Sequence, residues 1–67
     1  MKPISGRRMC AVLQDRGWTW IRTSGSHRIY AKPGHRSIPV PVHGNRDLAP
    51  RTQKDIMRQA GLTDADL

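Results

Sequence analysis

The sequence lacks the features that would place it outside the cytoplasm. Its 67 residues include one cysteine, Cys10, so no disulfide can form within the chain and a reducing compartment is expected. The longest nearly apolar run, residues 38–42, is interrupted by two prolines and is far too short to span a bilayer. Met1 leads into no hydrophobic signal segment. We therefore expect a cytoplasmic protein that neither enters a membrane nor is exported.

Phenylalanine is absent, and acidic residues are scarce. Five Asp and Glu residues face twelve Lys and Arg residues, which gives a formal net charge of +7. A strongly positive surface favours a polyanion as ligand and an acidic protein as regulator. A chain this short forms one domain, residues 1–67, whose core supplies only about 3–5 kcal/mol. A basic ribosome-associated or phage-associated protein without enzymatic activity would show the same charge.

One helix is expected near each end of the chain. Ser5 is typical of a helix N-cap, and apolar residues follow it with helical spacing, which predicts a helix over residues 6–16 with Cys10 half-buried on its flank. Asp47 is expected to cap a second helix over residues 48–60, with Pro50 in its first turn. The inward face of this second helix is predicted to carry Gln53, Ile56, Met57 and Ala60, and its outward, basic face Arg51, Lys54 and Arg58.

Three strands are expected between the helices, because segments rich in β-branched and aromatic residues alternate with glycine-containing turns. They cover residues 18–23, 27–31 and 36–42. The resulting fold is α+β, with the order α-β-β-β-α, a three-stranded antiparallel sheet and both helices on one face. If Tyr30 packs beneath the helices with Val40, strand alternation turns His27 and Ile29 away from them. Without phenylalanine in the chain, Trp18 and Trp20 are expected to fill the core rather than stack on nucleotide bases.

The turn between the first two strands combines conformational freedom with a titratable group. Gly25 can adopt a positive φ and allow a phosphate to approach the main chain, while Ser26 adds a hydroxyl. His27 follows, and histidine is the side chain whose ordinary pKa suits proton transfer near neutral pH. Arg22 and Arg28 are candidates to hold the phosphate. On the second helix, Lys54 and Arg58 are candidates to contact an RNA backbone.

An ordered set of motifs carries a resemblance that covers nearly all of the chain. The set comprises Gly25-Ser26-His27 after a tryptophan-containing strand, Val40-Pro41-Val42-His43, Asp47-Leu48-Ala49-Pro50 and Gln59-Ala60-Gly61-Leu62. In these motifs the chain resembles the HicA-type mRNA interferase toxins of toxin–antitoxin pairs. The resemblance implies a double-stranded-RNA-binding-domain-like fold and cleavage of mRNA without a metal or other cofactor. It also implies catalysis by His27 and neutralisation by an acidic HicB-type antitoxin.

The chain departs from this family pattern at two positions of the second helix. Arg51 stands where the family commonly has glycine, and Gln53 stands where it commonly has an apolar residue. These departures concern the start and the packing of the helix rather than the assignment of His27.

Cleavage of RNA through its own 2′-OH requires removal of that proton and protonation of the leaving 5′ oxygen, and histidine can do either. We assign His27 to proton transfer, with its role as base or acid left open. Two other readings remain: His27 caps a hairpin turn, or the chain is a non-catalytic double-stranded-RNA-binding module. His43 either orients the loop before the second helix or contacts substrate. A zinc site from His27, His35 and His43 fits no familiar ligand spacing.

Overall fold

The computed structural model describes residues 1–67 and has the element order α-β-β-β-α. The strands form one antiparallel sheet in the order β1-β2-β3. This confirms the predicted α+β fold, which is compatible with a double-stranded-RNA-binding-domain-like arrangement. The elements are α1 (Gly6–Asp15), β1 (Thr19–Ser24), β2 (His27–Ala31), β3 (Ile38–Pro41) and α2 (Pro50–Ala60), followed by a 3-10 turn at Asp64–Asp66. Strand β3 is thus shorter than the pattern predicted.

The two helices begin in different ways. The Ser5 hydroxyl accepts a hydrogen bond from the Arg8 amide at 3.0 Å, which confirms Ser5 as the N-cap of α1. The expected cap at Asp47 is wrong, because α2 starts at Pro50 after Ala49, whose side chain makes no capping hydrogen bond. A residue that precedes proline avoids the helical region, so Ala49 stays extended with ψ 139°. Neither helix is long and apolar enough to cross a bilayer.

The core lies between one face of the sheet and both helices. Tyr30, Ile38 and Val40 alternate along β2 and β3 and are each at most 1% exposed. Residues of both helices share their cluster, which confirms that both helices cover the same face. Cys10 belongs to this cluster and is fully buried, not half-buried as expected.

The two tryptophans have opposite environments. Trp18, just before β1, is buried in the core, and its ring meets the edge of the His35 ring at a centroid distance of 5.2 Å. Trp20 is 45% exposed, so the expectation that both tryptophans fill the core is wrong for this residue. Strand β1 is an edge strand, and all six of its residues are exposed.

Gln53 is the buried polar side chain of α2, and it ties the N-terminal segment to this helix. Its Oε1 accepts a hydrogen bond from the Ile4 amide at 3.1 Å, and its Nε2 donates to the Lys2 carbonyl. The segment just before α2 makes a further connection, since the Leu48 amide donates to the Ile4 carbonyl at 2.9 Å. The departure from an apolar residue at position 53 therefore serves the buried amide of Ile4 and the partly buried carbonyl of Lys2.

Helix α1 meets the sheet at a point where no side chain intervenes. Gly6, in the first turn of α1, is buried directly against the main chain of β3. A Cβ atom at this position would collide with the Pro41 carbonyl oxygen, so glycine is required for the close approach.

Tyr30 places its hydroxyl in the core without a hydrogen-bond partner of good geometry. Burial raises the pKa of Tyr30 to about 12, the Cys10 thiol adds to the rise, and the Arg28 guanidinium opposes it. The phenol therefore stays neutral throughout the range in which the protein would function.

The first prediction concerns Gln53. Gln53→Leu keeps a side chain of similar volume but leaves the Ile4 amide and the Lys2 carbonyl without their partner. This loss should lower the free energy of unfolding by about 1–3 kcal/mol. Urea unfolding measures this loss. The matched control is Gln59→Leu on the exposed face of the same helix, which we expect to stay within about 0.5 kcal/mol of the parent. Equal effects of the two substitutions would contradict the role of the Gln53 amide.

The second prediction concerns Tyr30, the single tyrosine of the chain. Its pKa in the folded state, about 12, lies above the ordinary value of 10.0, so folding favours the neutral phenol. Stability from this group is complete below pH 10 and falls as the pH rises toward 12. In Tyr30→Phe, the part of the stability loss at alkaline pH that comes from Tyr30 should be absent. At pH 7 it should change the free energy of unfolding by less than about 1 kcal/mol, because the hydroxyl it removes has no partner.

Urea unfolding of both proteins between neutral and alkaline pH isolates the tyrosine contribution as a difference, since the lysines are common to both. An identical pH dependence in the two proteins would show that Tyr30 does not supply it.

Candidate active site

His27 is the first residue of β2 and lies on the face of the sheet that the helices leave open. Its direct neighbours across the sheet are Ser24 on β1 and Pro41 on β3. Tyr30 points into the core, and alternation along β2 therefore turns His27 to the other side. The side chain is exposed, so a large polyanion can reach the imidazole.

The turn before His27 leaves space beside the main chain. Gly25 has φ +57°, and a Cβ atom placed there would find no other atom within 4 Å. The Ser26 carbonyl accepts a hydrogen bond from the Val42 amide at 2.8 Å, which anchors one side of the turn to the segment after β3. The turn is thus held by the sheet while its outer side stays open to a phosphate.

The two arginines near the turn lie on opposite faces of the sheet. Arg22 pairs with Ile29, so it shares the open face with His27 as a diagonal neighbour, at a spacing of about 7–8 Å between α-carbons. Arg28 follows His27 directly, and its guanidinium stacks on the Trp20 ring at 4.3 Å on the other face. Arg22 can therefore act beside the imidazole, whereas Arg28 serves a separate location.

Ile29 also lies on the open face, as expected, but it is only 7% exposed. Its cross-strand neighbours are Arg22 on one side and Pro39 on the other. The open face therefore has an apolar centre next to the polar end that carries His27.

Lys54 and Arg58 are not brought to His27. They line a groove of about 600 Å³ along the outer side of α2, to which no residue of the sheet contributes. Arg58 is also committed in part to Asp55, with 3.3 Å between Nη2 and Oδ1. Any contact that these two residues make with RNA would be separate from the turn at Gly25.

The other histidines occupy different places. His35 lies in the turn after β2, at the far end of the sheet from His27, and packs on Trp18. His43 is exposed and lines a cavity of about 440 Å³ together with Arg46 and Thr52 at the start of α2. No group of three His, Cys, Asp or Glu side chains is arranged to hold a metal ion.

Trp20 is the residue near this site that the sequence analysis placed wrongly. Its exposure follows from the position of β1 at the edge of the sheet, which the sequence does not indicate. A β-bulge lies between Trp20 and Arg22 and shifts the register of β1, which a sequence pattern does not reveal.

Comparison with known proteins gives one match. Residues 6–62 match the family model described as the HicA toxin of bacterial toxin–antitoxin. Among curated proteins nothing matches. The matched range runs from the first residue of α1 to just beyond α2 and includes every candidate residue of the glycine turn. The chain belongs to the HicA toxin family of bacterial toxin–antitoxin systems.

Proposed function

We propose that this chain is an endoribonuclease that cleaves mRNA in the cytoplasm without a metal ion, with His27 as the proton-transfer group. The observation that carries the proposal is the exposed imidazole of His27 on the open sheet face, next to the unobstructed turn at Gly25, in a chain of the HicA toxin family. The remaining residues of the open face act in support of that group.

The reaction follows from the chemistry of RNA itself. The 2′ oxygen attacks the adjacent phosphorus, the bond from phosphorus to the 5′ oxygen breaks, and a 2′,3′-cyclic phosphate and a 5′-hydroxyl end result. His27 either accepts the 2′ proton or donates a proton to the departing 5′ oxygen. Arg22 shares the face of His27 and offsets the negative charge that develops on the phosphoryl oxygens. Gly25 and Ser26 allow the phosphate to approach the main chain.

The charge of the protein supports a polyanionic substrate. Its ion pairs join Asp66 to Arg16, Asp55 to Arg58 and Asp64 to the terminal amine. Arg22 and Arg28 therefore have no carboxylate partner, and their charges are available to phosphates. An affinity built on such contacts falls as the salt concentration rises.

The third prediction tests His27 directly. Induction of the wild type in cells should arrest growth and deplete transcripts, and the purified protein should cleave single-stranded RNA in the presence of EDTA. His27→Ala should lower the cleavage rate by about 10²–10⁴-fold, because one well-placed proton-transfer group contributes that much. A substrate with 2′-deoxyribose at the cleaved position should remain intact.

His35→Ala is the matched control, since it removes an exposed imidazole at the other end of the sheet. It should keep its activity, with thermal unfolding measured alongside because His35 packs on Trp18. Full activity of His27→Ala would defeat the assignment. A wild-type protein that shifts duplex RNA in a gel and cleaves nothing would instead be a non-catalytic double-stranded-RNA-binding module.

The fourth prediction concerns the partner that a toxin of this family implies. We propose a HicB-type antitoxin of acidic composition that covers His27 and neighbouring cationic groups, which blocks RNA by occlusion and charge pairing. Co-expression with the product of the adjacent reading frame should yield a complex that co-purifies and lacks RNase activity. A partner that binds while RNA cleavage continues would contradict occlusion of the site.

A further inference from the structure

Trp20 is a large aromatic side chain that the fold holds in place without covering. It is 45% exposed on the edge strand β1, whereas Trp18 and Tyr30 are buried. An exposed tryptophan contributes little to a core, so its contacts must account for its orientation.

Two sets of contacts fix the indole. Its single Nε1–H is shared between the Arg22 carbonyl and the Thr23 hydroxyl, which both accept at 3.1 Å. The Arg28 guanidinium lies 4.3 Å from the ring centroid, within the range of a cation–π interaction. The ring is therefore oriented before any ligand arrives, which lowers the entropy that binding must overcome.

Arg28 is the less exposed member of this pair. It is only partly exposed, and its guanidinium also acts on the Tyr30 hydroxyl, which belongs to the core. No carboxylate neutralises it. Although Arg28 lies against the ring, Trp20 remains 45% exposed, so part of the indole is open to solvent. An oriented aromatic surface next to an unneutralised cation matches the two parts of a nucleotide, a flat base and a phosphate.

We propose that Trp20 and Arg28 form a subsite for an unpaired nucleotide of RNA, with the base stacked on the exposed indole and an adjoining phosphate held by Arg28. The inference rests on the proposed ribonuclease function and specifies its substrate as single-stranded at this position. Stacking on an indole requires a base that has left a duplex, because paired bases already stack on one another.

The subsite lies within reach of the cleavage position. Trp20 pairs with Tyr30, three residues along β2 from His27, which corresponds to about 10 Å along the strand. The two groups lie on opposite faces, and the exposed edge of β1 is the passage between them. A single strand that rounds this edge can place one phosphate beside His27 and a base further along the same strand on Trp20.

The test uses the full chain with His27→Ala, so that RNA is bound and not cleaved. Trp20→Leu in this background keeps an apolar side chain but removes the stacking surface. It should weaken binding of a short unstructured RNA by between about 5-fold and about 100-fold. Trp20→Phe should recover part of the loss. The dependence of binding on salt should keep its slope in Trp20→Leu and become shallower by about 0.7 in Arg28→Gln, since only the latter removes a phosphate contact.

Ile21→Ala is the matched control, because Ile21 is the neighbouring residue and is 53% exposed, yet it takes no part in the stack. It should bind the single strand as the parent does. A blunt duplex should bind the parent and Trp20→Leu equally. RNA should also quench the emission of Trp20, and this quenching should vanish in Trp20→Phe, where the buried Trp18 is the only indole left.

Several outcomes would overturn the subsite. They are unchanged affinity of Trp20→Leu for the single strand, an equal loss in Ile21→Ala, and an equal loss for the blunt duplex. A Trp20→Leu protein that binds RNA normally but loses the acidic partner would assign the surface to protein recognition instead. If RNA cleavage depends on His27 and any of these results is also found, the subsite is refuted but the proposed ribonuclease function stands. The absence of both cleavage and RNA binding in the folded protein would refute the proposed function itself.

Discussion

The amide of Gln53 is the interaction on which the helix layer depends. It reaches from α2 to main-chain groups of residues that are 49 and 51 positions away in the sequence. Ile4, one of these residues, directly precedes Ser5, the N-cap of α1, so the amide holds α2 against the segment that enters α1. The apolar cluster that both helices share covers Tyr30 and its neighbours, and the Gln53 amide supplies the polar connection between α2 and the segment that leads into α1.

Because the helices cover one face of the sheet, successive residues of the central strand β2 lie in different environments. Successive residues of β2 serve opposite sides: His27 faces the open side, while Arg28 lies beside Trp20 and the core. The two sides meet at the edge of β1, whose residues are all exposed. In the function that we propose, RNA contacts the two faces of the sheet and the exposed edge of β1 that joins them.

Much of this arrangement could be predicted from local sequence. The cap at Ser5, the turn at Gly25 and the inward position of Tyr30 depend on short-range rules of capping, positive φ and alternation. Adjacency in the sequence predicts that Arg28 acts beside His27, whereas alternation along β2 places the two on opposite faces. The cap at Asp47 failed because the conformational limit that Pro50 imposes on Ala49 outweighs the side-chain preference of Asp47.

The exposure of Trp20 and the partners of Gln53 could not be predicted in this way. Both depend on which strand forms the edge and which distant segment arrives beside a helix, and no local pattern encodes either. Gly6 shows the same limit from another side. Judged by helix propensity alone, alanine at this position would stabilise the helix by about 1 kcal/mol relative to glycine. Here the absence of a Cβ atom at Gly6 allows the main chain of α1 to contact the main chain of β3 at Pro41. At this residue, spacing between layers overrides the intrinsic stability of the helix.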